Sequence, residues 1–228
     1  MLDQISTSRS SNMSFNGFFD SIGEGVTFLP IVKYDARSGR ITRRDRENGE
    51  SNDVDITRTF KAIIDFPNVE IGWSWFPIGN PPDFRLVRFA DGGSIPKPEE
   101  GDFKRCVRLV LKLSKECGGD IRELTSNASA CLDGIKKLKD DYDSGVKSNP
   151  DKLPIVVLAD TVAKTSTGGA LKMTNYVPVF KIDGWVKRPD DLIYQPRSSS
   201  SPSAAPSAPP ATGSTKVSAP AGGDDDFG

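Results

Sequence analysis

The sequence predicts a mainly β domain with one helix late in the chain, and three patterns carry that reading. Val107, Leu109, Leu111 and Leu113 recur at every second position, the period of a strand with one buried face. Val54, Ile56, Phe60, Ala62, Ile64 and Phe66 share a face by the same count, broken only at Arg58. Between Asp120 and Tyr142, by contrast, Ile121, Leu124, Ala128, Leu132, Ile135 and Leu138 fall at helical spacing.

Residues 1–24 are rich in Ser and Asn, with Phe15, Phe18 and Phe19 among them. They read as a flexible N-terminal segment whose rings pin to the body or to a neighbouring subunit. Val26 to Tyr34 reads as a strand, with Pro30 marking an edge or a bulge. Asp35 to Asp53 reads as a charge-dense loop carrying Arg37, Arg40, Arg43, Arg44 and Arg46. Val54 to Phe66 is the next strand, Pro67-Asn68 its turn, and Val69 to Phe76 the return strand of a hairpin.

The Pro-rich stretch Pro77 to Pro82 ends that hairpin, and Phe84 to Phe89 is a short strand before the loop Asp91 to Asp102. Lys104 to Ser114 is the clearest strand of all. A helical stripe of Cys106, Leu109, Val110 and Leu113 competes with it, but the alternation is longer and cleaner. Gly118-Gly119 breaks the chain ahead of the helix. Leu153 to Leu158 reads as a buried strand, Thr165 to Gly169 as a loop, and Tyr176 to Trp185 as the last strand.

Hairpin strands, then one helix, then two closing strands give the order β-β-β-α-β-β of a five-stranded OB-fold barrel. The predicted domain spans residues 25–194, with the extra short strand and the long loops as insertions. Residues 195–228 read as a disordered linker and an acidic tip. From Ser198 to Pro220 nearly every residue is Ser, Ala, Pro, Gly or Thr, with Lys216 the only charge. That composition buries too little apolar surface to offset the entropy of ordering. Beyond it stand Asp224, Asp225, Asp226 and Phe227. A ring with no core to join is expected to dock on a partner.

Bulk composition narrows the function. The net charge of -1 excludes a generically basic nucleic-acid binder, so any electropositive surface must come from segregated charges. Histidine is absent, which removes the usual general base, the Ser-His and Cys-His pairs and the commonest metal ligand. Cys106, Cys117 and Cys131 lack C-x-x-C pairing and read as reduced thiols of a cytoplasmic protein. No apolar run approaches the ~20 residues of a spanning helix, so no membrane association is expected. Gly168-Gly169 lacks the phosphate-loop spacing. Arg neighbours compensate the acidic cluster Glu47, Glu50, Asp53 and Asp55. No enzyme activity, cofactor or metal is therefore expected.

One constellation points to chemistry. Trp73 and Trp75 share a strand face, while Gly72, Ser74 and Phe76 take the other. Two rings on a strand suit either the stacking of unpaired bases or a small barrel's core. Lys61, together with Lys104, Arg108 and Lys112 on the polar side of their strand, supplies positive charge beside the rings. Arg43 and Arg44 lie in a loop long enough to close over a groove. Charge to track the backbone and rings to hold the bases are what single-strand binding requires.

Taken with the low-complexity tether (about Ser198 to Gly223) and the tip Asp224-Asp225-Asp226-Phe227, the arrangement resembles the bacteriophage and bacterial single-stranded DNA-binding proteins. The closing segment from Tyr176 to Val186 is similar to the end of the core in phage members. The resemblance implies a protein that coats single-stranded DNA without sequence preference in phage replication, recombination or repair, within the host cytoplasm. It also implies that Asp224 to Phe227 recruit partner proteins, and that the Asp run competes with DNA phosphate for the groove. Bacterial members end on Phe, whereas Gly228 follows Phe227 here, which favours a phage-encoded partner. The alternative is a protein-interaction adaptor or virion-associated structural protein without nucleic-acid binding. A homo-oligomer is compatible with both.

Overall fold

The computed structural model describes residues 29–47, 50–166 and 172–197. The expectations for residues 1–24, for Gly168-Gly169 and for the tail from Ser198 to Phe227 lie outside the described residues. Among the described residues ten strands and one long helix follow one another. They are β1 (Ile31–Asp35), β2 (Arg40–Glu47), β3 (Glu50–Asp55), β4 (Lys61–Ile64), β5 (Glu70–Trp75), β6 (Asp83–Arg88), β7 (Lys104–Leu113) and β8 (Ile121–Ser126), then helix α1 (Ser129–Val146), β9 (Lys152–Ser166) and β10 (Met173–Lys187).

The mainly β class holds, but the sheet as a whole is larger than five strands and is open. Its order is β10-β9-β4-β7-β8-β1-β2-β3, with β5 branching from β7 and β6 pairing on β5. All ladders are antiparallel except β1 on β8, where Val32 faces Leu124. Beyond that ladder, the Tyr176 N–H donates to the Ala36 carbonyl at 2.8 Å or less, bringing the end of β1 beside β10 (N···O 2.7 Å).

Three expectations need correction. Val54–Phe66 and Val69–Phe76 are not a hairpin. Both β4 and β5 run antiparallel to β7, β4 beside Leu111 to Leu113 and β5 beside Lys104 to Arg108. They are successive stretches on one side of the same strand. Pro67 has no N–H to offer a ladder, so the chain makes one 3-10 turn at Phe66–Asn68 and resumes in the same direction. The apolar face was nonetheless right: Ile56, Phe60, Ala62, Ile64 and Phe66 are all buried.

The Asp35–Asp53 loop is instead largely the β2–β3 hairpin, whose two-sided polarity hides its period. Opposite charges across the strands hold it, with Arg44 bidentate on Asp53 at 2.7 and 2.9 Å. The first part of the expected helix is β8. Gly118 and Gly119, at φ 121° and 76°, make the tight connection that lays Ile121 to Ser126 back along β7. Only from Ser129 does the helical spacing form a helix, burying Cys131, Ile135, Leu138 and Tyr142. At Gly134 a Cβ would stand 2.5 Å from the Pro178 carbonyl oxygen, so the bare backbone lets α1 lie close on β10.

The inner face of β7 (Val107, Leu109, Leu111, Leu113) anchors the main core against β4 and α1. Its outer face is covered by residues 188–197. Lys112 meets Asp191 at 2.6 Å, Val110 packs with Leu192, and Arg108 donates to the Gln195 carbonyl at 2.9 Å. The folded body thus continues to Arg197, past the expected boundary at 194.

Candidate nucleic-acid interface

Charge that the sequence places on an accessible β7 face is in fact built into the body. Arg108 is 3% exposed and lies between Glu70 and Glu123, 2.6 Å from each. Tyr194 donates its hydroxyl to Glu70 at 2.7 Å, and Arg197 donates to Glu123 at 2.7 Å. Burial, and then the Glu70 hydrogen bond, push the Tyr194 hydroxyl up to about 12. Arg108 is therefore withdrawn as a nucleic-acid contact: a buried cation needs buried partners. Lys112 is committed to Asp191, and Lys61 to Asp183 at 2.7 Å. Lys104 is exposed, with Asp102 at 3.5 Å.

The two tryptophans do not form an open platform. The Trp73 indole N–H donates to the Ile95 carbonyl at 2.8 Å, and Trp75 packs on Phe103 with ring centroids 5.6 Å apart. A Cβ on Gly101 would touch the Trp75 ring at 2.8 Å, so the segment leading into β7 lies directly on it. Both rings are half-buried on the β5 side that continues the core.

The opposite side of β5 carries the accessible ring. Phe76 is 57% exposed and meets Phe84 of β6 edge-on, centroids 5.6 Å apart. These rings form one wall of a groove of about 940 Å³ whose other wall is β1 and β2. Lys33, Arg43, Arg44, Arg46, Arg122 and Arg197 line it, and among the described residues Asp45 is the one carboxylate that does.

These cations have different duties. Arg122 is buried and salt-bridged to Asp45 (2.6 Å) and Asp120 (2.8 Å), forming a fixed floor. Arg43 donates to the Cys117 carbonyl at 2.8 Å, while its Nε lies 3.1 Å from Asp45 without hydrogen-bond alignment. The Arg44 hydrogen bonds hold Asp53 below the usual carboxylate range, so this pair stays ionised. Lys33 and Arg46 have no carboxylate within ion-pair distance among the described residues, which leaves them free to take phosphate.

Arg43 and Arg44 were singled out in the sequence and do face this groove. Arg46 belongs to the same charged run, whereas Lys33, Phe76 and Phe84 were missed. For Phe76 the signal was present, since strand parity sends it away from Trp73 and Trp75. For Lys33 no signal existed, because its position depends on β1 pairing with β8.

Among the described residues no three His, Cys, Asp or Glu side chains gather as a metal site. No helix there is long and apolar enough to cross a membrane. Compared with protein-family models, curated proteins and solved structures, the chain matched none of them.

Proposed function

We propose that the protein binds single-stranded nucleic acid, chiefly DNA and without sequence preference, along the groove between β1–β2 and the β5–β6 hairpin. The observation that carries this reading is the lining: among the described residues, six cations against one carboxylate, beside an exposed phenylalanine. Phosphates take the cations by counterion release, and an unstacked base takes the ring. A duplex keeps its bases stacked and has no use for Phe76.

The fold supports the same reading. In chain order β4, β7, β8, α1, β9 and β10 follow β-β-β-α-β-β, and in space their strands run β8-β7-β4-β9-β10. We read this unit as an OB-fold, with β5–β6 inserted between its first two strands and β1–β3 added at its rim. Its third strand, β8, lines the groove through Arg122 and Thr125, and OB-folds receive oligonucleotides on the face of their second and third strands. The tip Asp224 to Phe227 keeps the role the resemblance gives it, recruitment of replication or recombination proteins.

Fluorescence anisotropy with labelled oligo-dT and a duplex of equal length tests the proposal. Binding to oligo-dT that weakens steeply with salt, and much weaker duplex binding, is expected. No binding at low salt, or equal binding of both, would refute it.

A further inference from the structure

A smaller cavity of about 320 Å³ adjoins the groove and shares Lys33, Phe76 and Thr125 with it. At the small end of the ~300–1,000 Å³ typical of ligand pockets, it suits one ring system rather than a stacked run. Its lining is mixed, with Tyr34, Phe76, Cys106 and Ala128 beside a few polar groups. Ser74 is fully buried, and Asn127 donates its Nδ2 to the Ser74 hydroxyl at 3.1 Å. That bond fixes the Asn127 carboxamide and leaves its Oδ1 without a partner among the described residues. Across the cavity Asn175 of β10 presents a second carboxamide, with no side-chain hydrogen bond among the described residues. Lys33 and Arg37 stand at the lining as well, neither within ion-pair distance of a carboxylate among the described residues, together with Asp35, whose carboxylate accepts from the Arg37 backbone N–H and the Ser38 hydroxyl.

Two carboxamides with hydrogen-bonding capacity left, beside an exposed ring and two cations, suit one ligand in common. A carboxamide matches the donor and acceptor edge of a nucleobase, the ring stacks on its face, and the cations hold the flanking phosphates. We propose that this cavity receives one base of the bound strand, turned out of line with its neighbours, with Asn127 and Asn175 on its polar edge. Every natural base carries an N–H that the Asn127 Oδ1 can accept, so the pocket requires a base without choosing among them. This proposal rests on the groove reading and adds to it a site where the base, not the phosphate, is held.

The test compares labelled (dT)12 with a 12-mer of abasic tetrahydrofuran units, which keeps every phosphate and removes every base. For Asn127→Ala/Asn175→Ala, affinity for (dT)12 is expected to fall about tenfold while affinity for the abasic strand stays unchanged. An equal fall on both strands, or no fall on either, overturns the pocket. Wild-type protein that binds the two strands equally overturns the pocket and the base on Phe76 alike, leaving the groove its phosphate contacts alone. A wild-type preference for (dT)12 that the variants keep overturns the pocket and spares the groove. Wild-type protein that binds neither strand overturns the groove reading itself. Asn175→Ala alone removes no described hydrogen bond, so it keeps the test valid if the double variant fails to fold. With it a smaller fall confined to (dT)12 is expected, and its absence counts against the pocket.

Discussion

Arg197 lays its guanidinium over the Phe84 ring, 3.8 Å from the centroid, while its Nη1 reaches Glu123 at 2.7 Å. One side chain thus ties the segment covering β7 to the aromatic wall of the groove. The buried network and the candidate interface share it. Leu192, Tyr194 and Arg197 hold this segment on the outer face of β7 and its neighbours, and the groove opens where that cover ends.

Arg108 is expected to matter for stability rather than for ligand. Arg108→Ala leaves Glu70 and Glu123 buried beside an empty site, a loss of about 3–5 kcal/mol. Lys104→Ala, on an exposed side chain, should stay within about 0.5 kcal/mol. Urea unfolding of the two variants checks this. An Arg108 variant as stable as wild type would show that the network is not what holds residues 188–197.

Lys33→Ala and Arg46→Ala should do the reverse. Neither side chain is ion-paired among the described residues, so unfolding midpoints should hardly move. Each lost phosphate contact should lower the slope of log K against log salt by about 0.7 on single strands. Salt titrations with oligo-dT read that slope directly.

Phe76→Ala removes a ring that is more than half exposed, so it should cost little stability. If a base stacks there, binding to oligo-dT weakens by about 1–3 kcal/mol. Trp73→Phe loses the indole bond to Ile95 and should lower stability while leaving affinity in place. The reverse pattern, with Trp73 governing affinity, would return the platform to the tryptophan face.

Alkaline pH should loosen the cover over β7. The Tyr194 hydroxyl is raised to about 12 in the fold, against about 10 in an unfolded chain. A raised group contributes stability fully below the unfolded value and loses it as pH rises through the folded one. The contribution therefore fades between about pH 10 and 12. Absorbance titration at the phenolate band should show late-titrating tyrosines, one fewer in Tyr194→Phe, because burial raises Tyr34 and Tyr142 as well.

The acidic tip has a salt signature of its own. If Asp224 to Asp226 compete for the groove, truncation after Pro220 should raise affinity for oligo-dT at low salt. The gain should vanish at high salt, where the Debye length shrinks. Unchanged affinity at low salt would leave the tip with partner recruitment alone.

Much of the architecture was legible because it rests on local pattern. The alternation of Val107, Leu109, Leu111 and Leu113 identified β7 and its core face, and Phe60, Ala62 and Ile64 were assigned to the core side although the strand there is short and begins only at Lys61. What failed, failed for definable reasons. Residues 121–126 fit a helical stripe as well as a strand, and six pairs with β7 decided between them. The β2–β3 hairpin has charge on both faces and so carries no hydrophobic period to read.

The candidate site divides along the same line. By itself the sequence determined the mainly β class and the alternation that sends Phe76 away from the tryptophans, because these follow from the chemistry and spacing of near neighbours. Tertiary structure alone decided which charges are spent. Arg108 and Lys112 look alike on a strand, yet one meets Glu70 and Glu123 in the interior while the other meets Asp191 at its margin. Those partners lie 15 to 79 residues away, and no period along the chain records a distance of that kind.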